Sequence, residues 1–111
     1  MSFQETHNDA LKRIGTALAS DTRRALLLAM MDGVHYPAEL AERLGTGRSN
    51  VSNHLNCLSD CGVIRAQHEG RKVRYEISSP QLQHALLELS QVVLTVHESE
   101  TCLVETGASH E

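Results

Sequence analysis

Apolar residues recur three and four positions apart through most of the chain, with one alternating stretch between residues 72 and 77. Leu11, Ile14, Ala17 and Leu18 mark a first helix. Ser20 or Asp21 is placed to cap a second, carried by Leu26, Leu27, Ala29 and Met30 and ended by Asp32-Gly33. Pro37 suits a helix N-terminus, and Ala38, Leu40, Ala41 and Leu44 build a short third helix stopped by Gly45. After the tight Thr46-Gly47 turn, a fourth helix runs from about Arg48 to Cys61, with Gly62 just past its end. Val63–Ala66 and Lys72–Ile77 are the predicted strands of a hairpin turning at Glu69-Gly70. Ser79-Pro80 opens a last helix, whose stripe of Leu82, Ala85, Leu86, Leu89, Val93 and Val96 is widened by Leu87, Val92 and Leu94. A terminal helix apolar over so much of its circumference needs a second chain to bury it, so a homodimer is expected.

The expected architecture is mainly α with a two-stranded β-hairpin wing, a homodimeric winged helix-turn-helix. Residues 1–96 form the DNA-binding and dimerisation domain, and residues 97–111 an acidic C-terminal tail. Its 111 residues, 41% of them hydrophobic, suit one modest core. No apolar run is long enough for a membrane span, and Met1–Asp9 lacks the layout of a signal peptide, so a cytoplasmic protein is expected.

Charge changes the picture only when read by segment. The formal total of −4 looks unsuited to nucleic acid. Residues 48–74, however, hold five Lys/Arg against two acids, a local +3, whereas residues 75–111 hold six acids and no Lys or Arg. The positive segment contains the second helix of the helix-turn-helix pair and the wing. Projected at 100° per residue, Val51, Leu55 and Leu58 share one stripe of that helix. Ser49, Asn50, Ser52, Asn53 and His54 point elsewhere. Short donors and acceptors of this kind suit base edges and phosphates, and Ser and Asn are otherwise mediocre helix formers. Arg48 at the helix start and Arg71, Lys72 and Arg74 on the wing are the phosphate-binding candidates. A basic strand face alone reads as merely solvated; beside this helix, double-stranded operator DNA is the expected partner.

Three cysteines form the second constellation. Cys57 and Cys61 lie four residues apart on the reading helix, about 6 Å between Cα atoms and on the flank of its apolar stripe. Two thiolates so placed can share one metal ion, with a third donor from elsewhere, and Cys102 is the remaining thiol. On spacing alone, a coincidental or buried pair, a thiol redox switch and a metal buffer or chaperone that never touches DNA all remain open. An enzyme acting on a small-molecule substrate is not expected: no Cys–His–acid order stands out and no Gly-rich phosphate loop is present.

Leu44-Gly45, then Arg48-Ser49-Asn50-Val51-Ser52-Asn53-His54-Leu55, Leu58, Gly62-Val63-Ile64 and Glu69-Gly70-Arg71-Lys72-Val73-Arg74-Tyr75 resemble the ArsR/SmtB repressors over roughly residues 10 to 96. The resemblance implies a homodimeric repressor that leaves its operator when an inducer binds. Within that family, Cys57, Cys61 and Cys102 look like the ligand set of the CmtR-type cadmium/lead sensors, in which the tail cysteine completes the site from the other protomer. Cd(II) or Pb(II) is then the implied inducer, and Zn(II) also accepts sulfur ligands. The third-helix thiol motif of some arsenic and cadmium sensors falls on His35–Leu40, which has no Cys. The zinc-type site of the last helix is incomplete: His97 and Glu100 match one ligand pair, but the other falls on His84 and Leu86.

Overall fold

A computed structural model describes residues 3–95. Its elements are α1 (Phe3–Leu18), α2 (Asp21–Met31), α3 (Pro37–Leu44), α4 (Arg48–Asp60), β1 (Ile64–Glu69), β2 (Lys72–Ile77) and α5 (Pro80–Ser90). Local chemistry accounts for most boundaries. Ser20 is extended, and its hydroxyl accepts the Arg23 N–H at 3.3 Å, which starts α2. Ser79 does the same for α5, accepting the Leu82 N–H at 3.1 Å. At the end of α4, Gly62 takes φ +81°, its N–H bonds the Ser59 carbonyl, and the Val63 N–H reaches back to Leu58 at 3.1 Å. This is a Schellman stop, and its left-handed residue has to be glycine or nearly so.

The core joins α2, α3 and α4 under the hairpin. Leu26, Leu40, Val51, Leu55 and Leu58 are sealed from solvent, and Val63, Ile64 and Ile77 close the cluster from the sheet side. The α4 stripe of Val51, Leu55 and Leu58 thus holds the helix by one face and leaves the others outward. Leu58→Ala is expected to cost about 2–5 kcal/mol, transfer plus cavity, and to lower the urea midpoint followed by circular dichroism accordingly.

The first helix, marked by Leu11–Leu18, extends from Phe3 and buries little: Ala17 is enclosed while Leu11 is 68% exposed. Two expectations are corrected. The first strand runs to Glu69 instead of stopping at Ala66, because antiparallel pairing through Gln67↔Arg74, His68↔Val73 and Glu69↔Lys72 holds a segment with no apolar signal. The last helix ends at Ser90, not near Val96. β-Branched Val92, Val93 and Thr95 follow, and Val93 is 92% exposed, so neither propensity nor burial carries the helix onward within one chain. Val96, the boundary set at residue 97, and Cys102, His97 and Glu100 lie outside the described residues.

Candidate DNA interface and thiol site

The helix-turn-helix is α3–turn–α4, and the turn places α4 with its first two turns outward. Arg48, Ser49, Asn50, Ser52 and Asn53 are exposed, and His54 is half-buried. Asn50 Nδ2 donates to the Thr46 hydroxyl at 3.2 Å, tying the helix start to the turn before it. The hairpin rises beside this surface on a two-residue Gly70-Arg71 loop, with Gly70 at φ +65°. Arg71 and Lys72 are exposed and Arg74 is half-buried. The cations of the helix start and of the wing meet: Arg48, Arg71 and Lys72 line one open cleft of about 380 Å³. The start of the polar helix and the basic wing therefore border the same cleft, which Glu39 of α3 also lines.

Residues with no periodic signal hold the wing in place. The Tyr75 N–H donates to the His35 carbonyl at 2.8 Å, and His35 Nδ1 lies 2.9 Å from the Tyr75 carbonyl, so the loop before α3 braces β2. The neighbouring Tyr36 donates its hydroxyl to Glu69 at 2.6 Å. Arg65 reaches Glu76, its cross-strand partner, at 3.6 Å.

At the other end of α4, Cys57 and Cys61 are free, half-buried thiols flanking the apolar stripe, as their spacing predicts. Cys61 is the last residue before the Schellman glycine, and its N–H bonds the Cys57 carbonyl at 3.0 Å. It opens on a groove of about 560 Å³ between α1 and the start of α5. Burial pushes the Cys61 thiol up, and the neighbouring Cys57 sulfur adds to the rise, while Arg13 and Arg23 oppose it. Arg13, which the sequence reading passed over, crosses from α1 to this turn: its guanidinium bonds the Asp60 carbonyl at 3.3 Å and the Asp9 carboxylate at 2.9 Å. A basic residue against a helix C-terminus satisfies an orphan carbonyl and complements the dipole.

The pair is a two-sulfur donor set that fits a soft cation incompletely. Among the described residues, no third His, Cys, Asp or Glu joins it. A third ligand has to come from beyond those residues or from a second chain. His84, the candidate of the zinc-type site on α5, is 75% exposed and faces Glu88 at 3.9 Å.

A polar reading helix packed by one face and flanked by a cationic hairpin defines a DNA-binding regulator of the winged helix-turn-helix class. The model of the bacterial regulatory proteins of the arsR family matches residues 20–66. The chain is 51% identical over 107 residues to the HTH-type transcriptional regulator CmtR of Mycobacterium tuberculosis, spanning 96% of this chain and 91% of that one. It belongs to the arsR family of bacterial regulatory proteins. It is also similar to the solution structure of the cadmium metal-sensor CMTR from Mycobacterium tuberculosis, with 53% identity and a TM-score of 0.65 over 80% of this chain and 93% of that one. A homodimeric winged helix-turn-helix DNA-binding domain from Mycobacterium bovis matches at a TM-score of 0.71 over 88% of this chain and 95% of that one, and its 22% identity speaks to fold alone.

Proposed function

We propose that this protein is a cytoplasmic, metal-sensing repressor: a homodimer that holds operator DNA through α4 and the wing and lets go when Cd(II) or Pb(II), with Zn(II) as the third candidate, is bound by Cys57, Cys61 and Cys102. One observation carries the reading. The two free thiols stand side by side on the last turn of the reading helix, in a chain half-identical to a regulator whose solved structure is that of a cadmium sensor. The dimer reading rests on unsatisfied apolar surface: Leu28, Leu87, Leu89 and Val92 are all about half exposed on α2, α5 and the segment after it.

The chain's own residues supply the coupling. Arg13 ties α1 to the carbonyl of Asp60, and Gly62-Val63 carries the same turn directly into β1. The last turn of α4 is thus linked to an outer helix on one side and to the wing on the other. A soft divalent cation supplies, when bound, a single centre that three thiolates share. Cys57 and Cys61 would hold it as thiolates, with Cys102 as the proposed third donor, and ligation at this turn would disfavour the DNA-bound arrangement of helix and wing. Linkage requires DNA to weaken metal binding by the factor with which metal weakens DNA binding.

The test is fluorescence anisotropy on a labelled operator duplex selected by binding from a random library, with Cd(II), Pb(II) and Zn(II) added in turn at one fixed salt concentration. At least one of the three is expected to weaken binding about 5–150-fold. Unchanged binding with all three, on fully reduced protein, contradicts the reading.

Acidity gives a second handle. Because the Cys61 thiol is raised and metal binds only its deprotonated form, metal capture releases a proton. Affinity for Cd(II), followed by sulfur-to-metal absorption, is expected to climb between about pH 6 and pH 8, roughly tenfold per unit for each proton displaced. A flat profile argues against thiolate ligation.

A further inference from the structure

The register of the wing sets up a conflict. Glu69 and Lys72 are directly opposite across the hairpin, where a carboxylate and an ammonium ordinarily pair. Among the described residues they do not. The Lys72 ammonium instead sits over the Tyr36 ring, 5.3 Å from its centroid, and the Glu69 carboxylate accepts the Tyr36 hydroxyl at 2.6 Å. One side chain, 33 residues before Glu69, engages both partners of the expected ion pair, Lys72 at its ring face and Glu69 at its hydroxyl. Tyr36 is itself held, half-buried, in the extended residue that opens α3, next to the His35–Tyr75 brace.

We propose that Tyr36 is a positioning residue of the DNA interface, whose ring seats Lys72 and whose hydroxyl keeps Glu69 away from it, so that the ammonium stays available to a DNA phosphate. The placement supports this. Lys72 and Tyr36 line the same open cleft as Arg71 and as Arg48 at the start of the reading helix. Three cations therefore face one track against a single lining carboxylate, Glu39, and a second carboxylate released into it would cancel one more of them. Glu69 raises the Tyr36 phenol above its ordinary range, with Arg74 opposing, so the hydroxyl keeps its proton and remains a donor. A cation over an aromatic face keeps its net charge for an outside anion, whereas a carboxylate partner neutralises that charge and takes at least one of the three N–H donors.

The inference rests on the reading of the wing as a phosphate-binding element, and the experiment separates the two. The probe is a labelled random-sequence duplex of about 30 bp, titrated with the full chain between about 50 and 200 mM salt, where phosphate contacts dominate. Tyr36→Phe keeps the ring and loses the hydroxyl. It is expected to bind about threefold to tenfold more weakly and to lower the slope of log affinity against log salt by about 0.9, the loss of one phosphate contact. Adding Glu69→Gln to Tyr36→Phe is expected to restore affinity and slope, because no carboxylate is left to capture Lys72. Glu69→Gln alone is expected to bind at least as tightly as the natural chain. A merely structural tyrosine gives no such rescue. If Lys72→Ala weakens binding while Tyr36→Phe does not, or if Glu69→Gln fails to rescue, the role of Tyr36 is refuted and the wing reading stands. If Lys72→Ala leaves binding unchanged, the phosphate role of Lys72 falls and this inference with it.

Discussion

Cys57→Ser is expected to weaken Cd(II) binding by about 100-fold or more and to abolish metal-driven release of DNA, while operator affinity without metal stays within about twofold. Losing a partner of a ligand already costs about 10–100-fold, and this variant removes one of the proposed ligands itself. Serine keeps the volume but replaces a soft, ionisable sulfur with a neutral hydroxyl that a thiophilic cation does not select. Folding survives, because Cys57 flanks the Val51–Leu55–Leu58 stripe and is only half-buried. DNA binding survives because the exposed polar residues occupy the first turns of α4 and Cys57 lies beyond them. Cys61→Ser loses the metal equally but adds a stability cost on the order of 1 kcal/mol, since Cys61 packs partly against the core beside the Schellman turn. Cys102→Ser is the discriminating variant. Isothermal titration with Cd(II), paired with anisotropy on the operator, distinguishes three thiolates from two; unaltered affinity and unaltered release in that variant refute the three-cysteine site.

Removing the wing cations has the second large effect. The triple change Arg71→Ala, Lys72→Ala, Arg74→Ala is expected to weaken DNA binding on the order of 100-fold at physiological salt and to flatten the salt slope by roughly 2 to 3. The loss should be nearly uniform across sequences, because phosphate contacts position a protein without reading bases. Asn53→Ala on the exposed face of α4 makes the contrast. It is expected to lower discrimination between operator and random duplex by about 1–3 kcal/mol while leaving the salt slope nearly unchanged. Anisotropy on both duplexes over a salt series reads the two effects separately. A triple variant with an unaltered slope removes the wing from the interface. None of the three side chains belongs to the core cluster, so the thermal midpoint is expected to move little.

The polar face of α4 and the Cys57/Cys61 flank follow from helical geometry applied to a short stretch, and burial of Val51, Leu55 and Leu58 bears that projection out. The −4 net charge was a poor guide because the basic segment occupies contiguous structure, whereas acids accumulate after residue 75. Arg13 and Tyr36 carried no local signal at all. Their importance lies in what they touch 47 and 33 residues away.

By itself, the sequence determined where most of the helices start or stop and which face of each central helix turns inward, and it nominated residues for DNA and metal chemistry. Those properties depend on neighbours within one or two turns: Ser20 and Ser79 capping, Gly45 and Gly62 ending, apolar residues repeating. Only the tertiary structure decided that α1 and α5 leave apolar surface uncovered, that α5 stops at Ser90, and that the hairpin extends to Glu69. It alone brought Arg13 to the end of α4 and set Tyr36 between Lys72 and Glu69. Periodicity reports which way a side chain faces on its own element; what it meets there depends on packing between segments far apart in the chain.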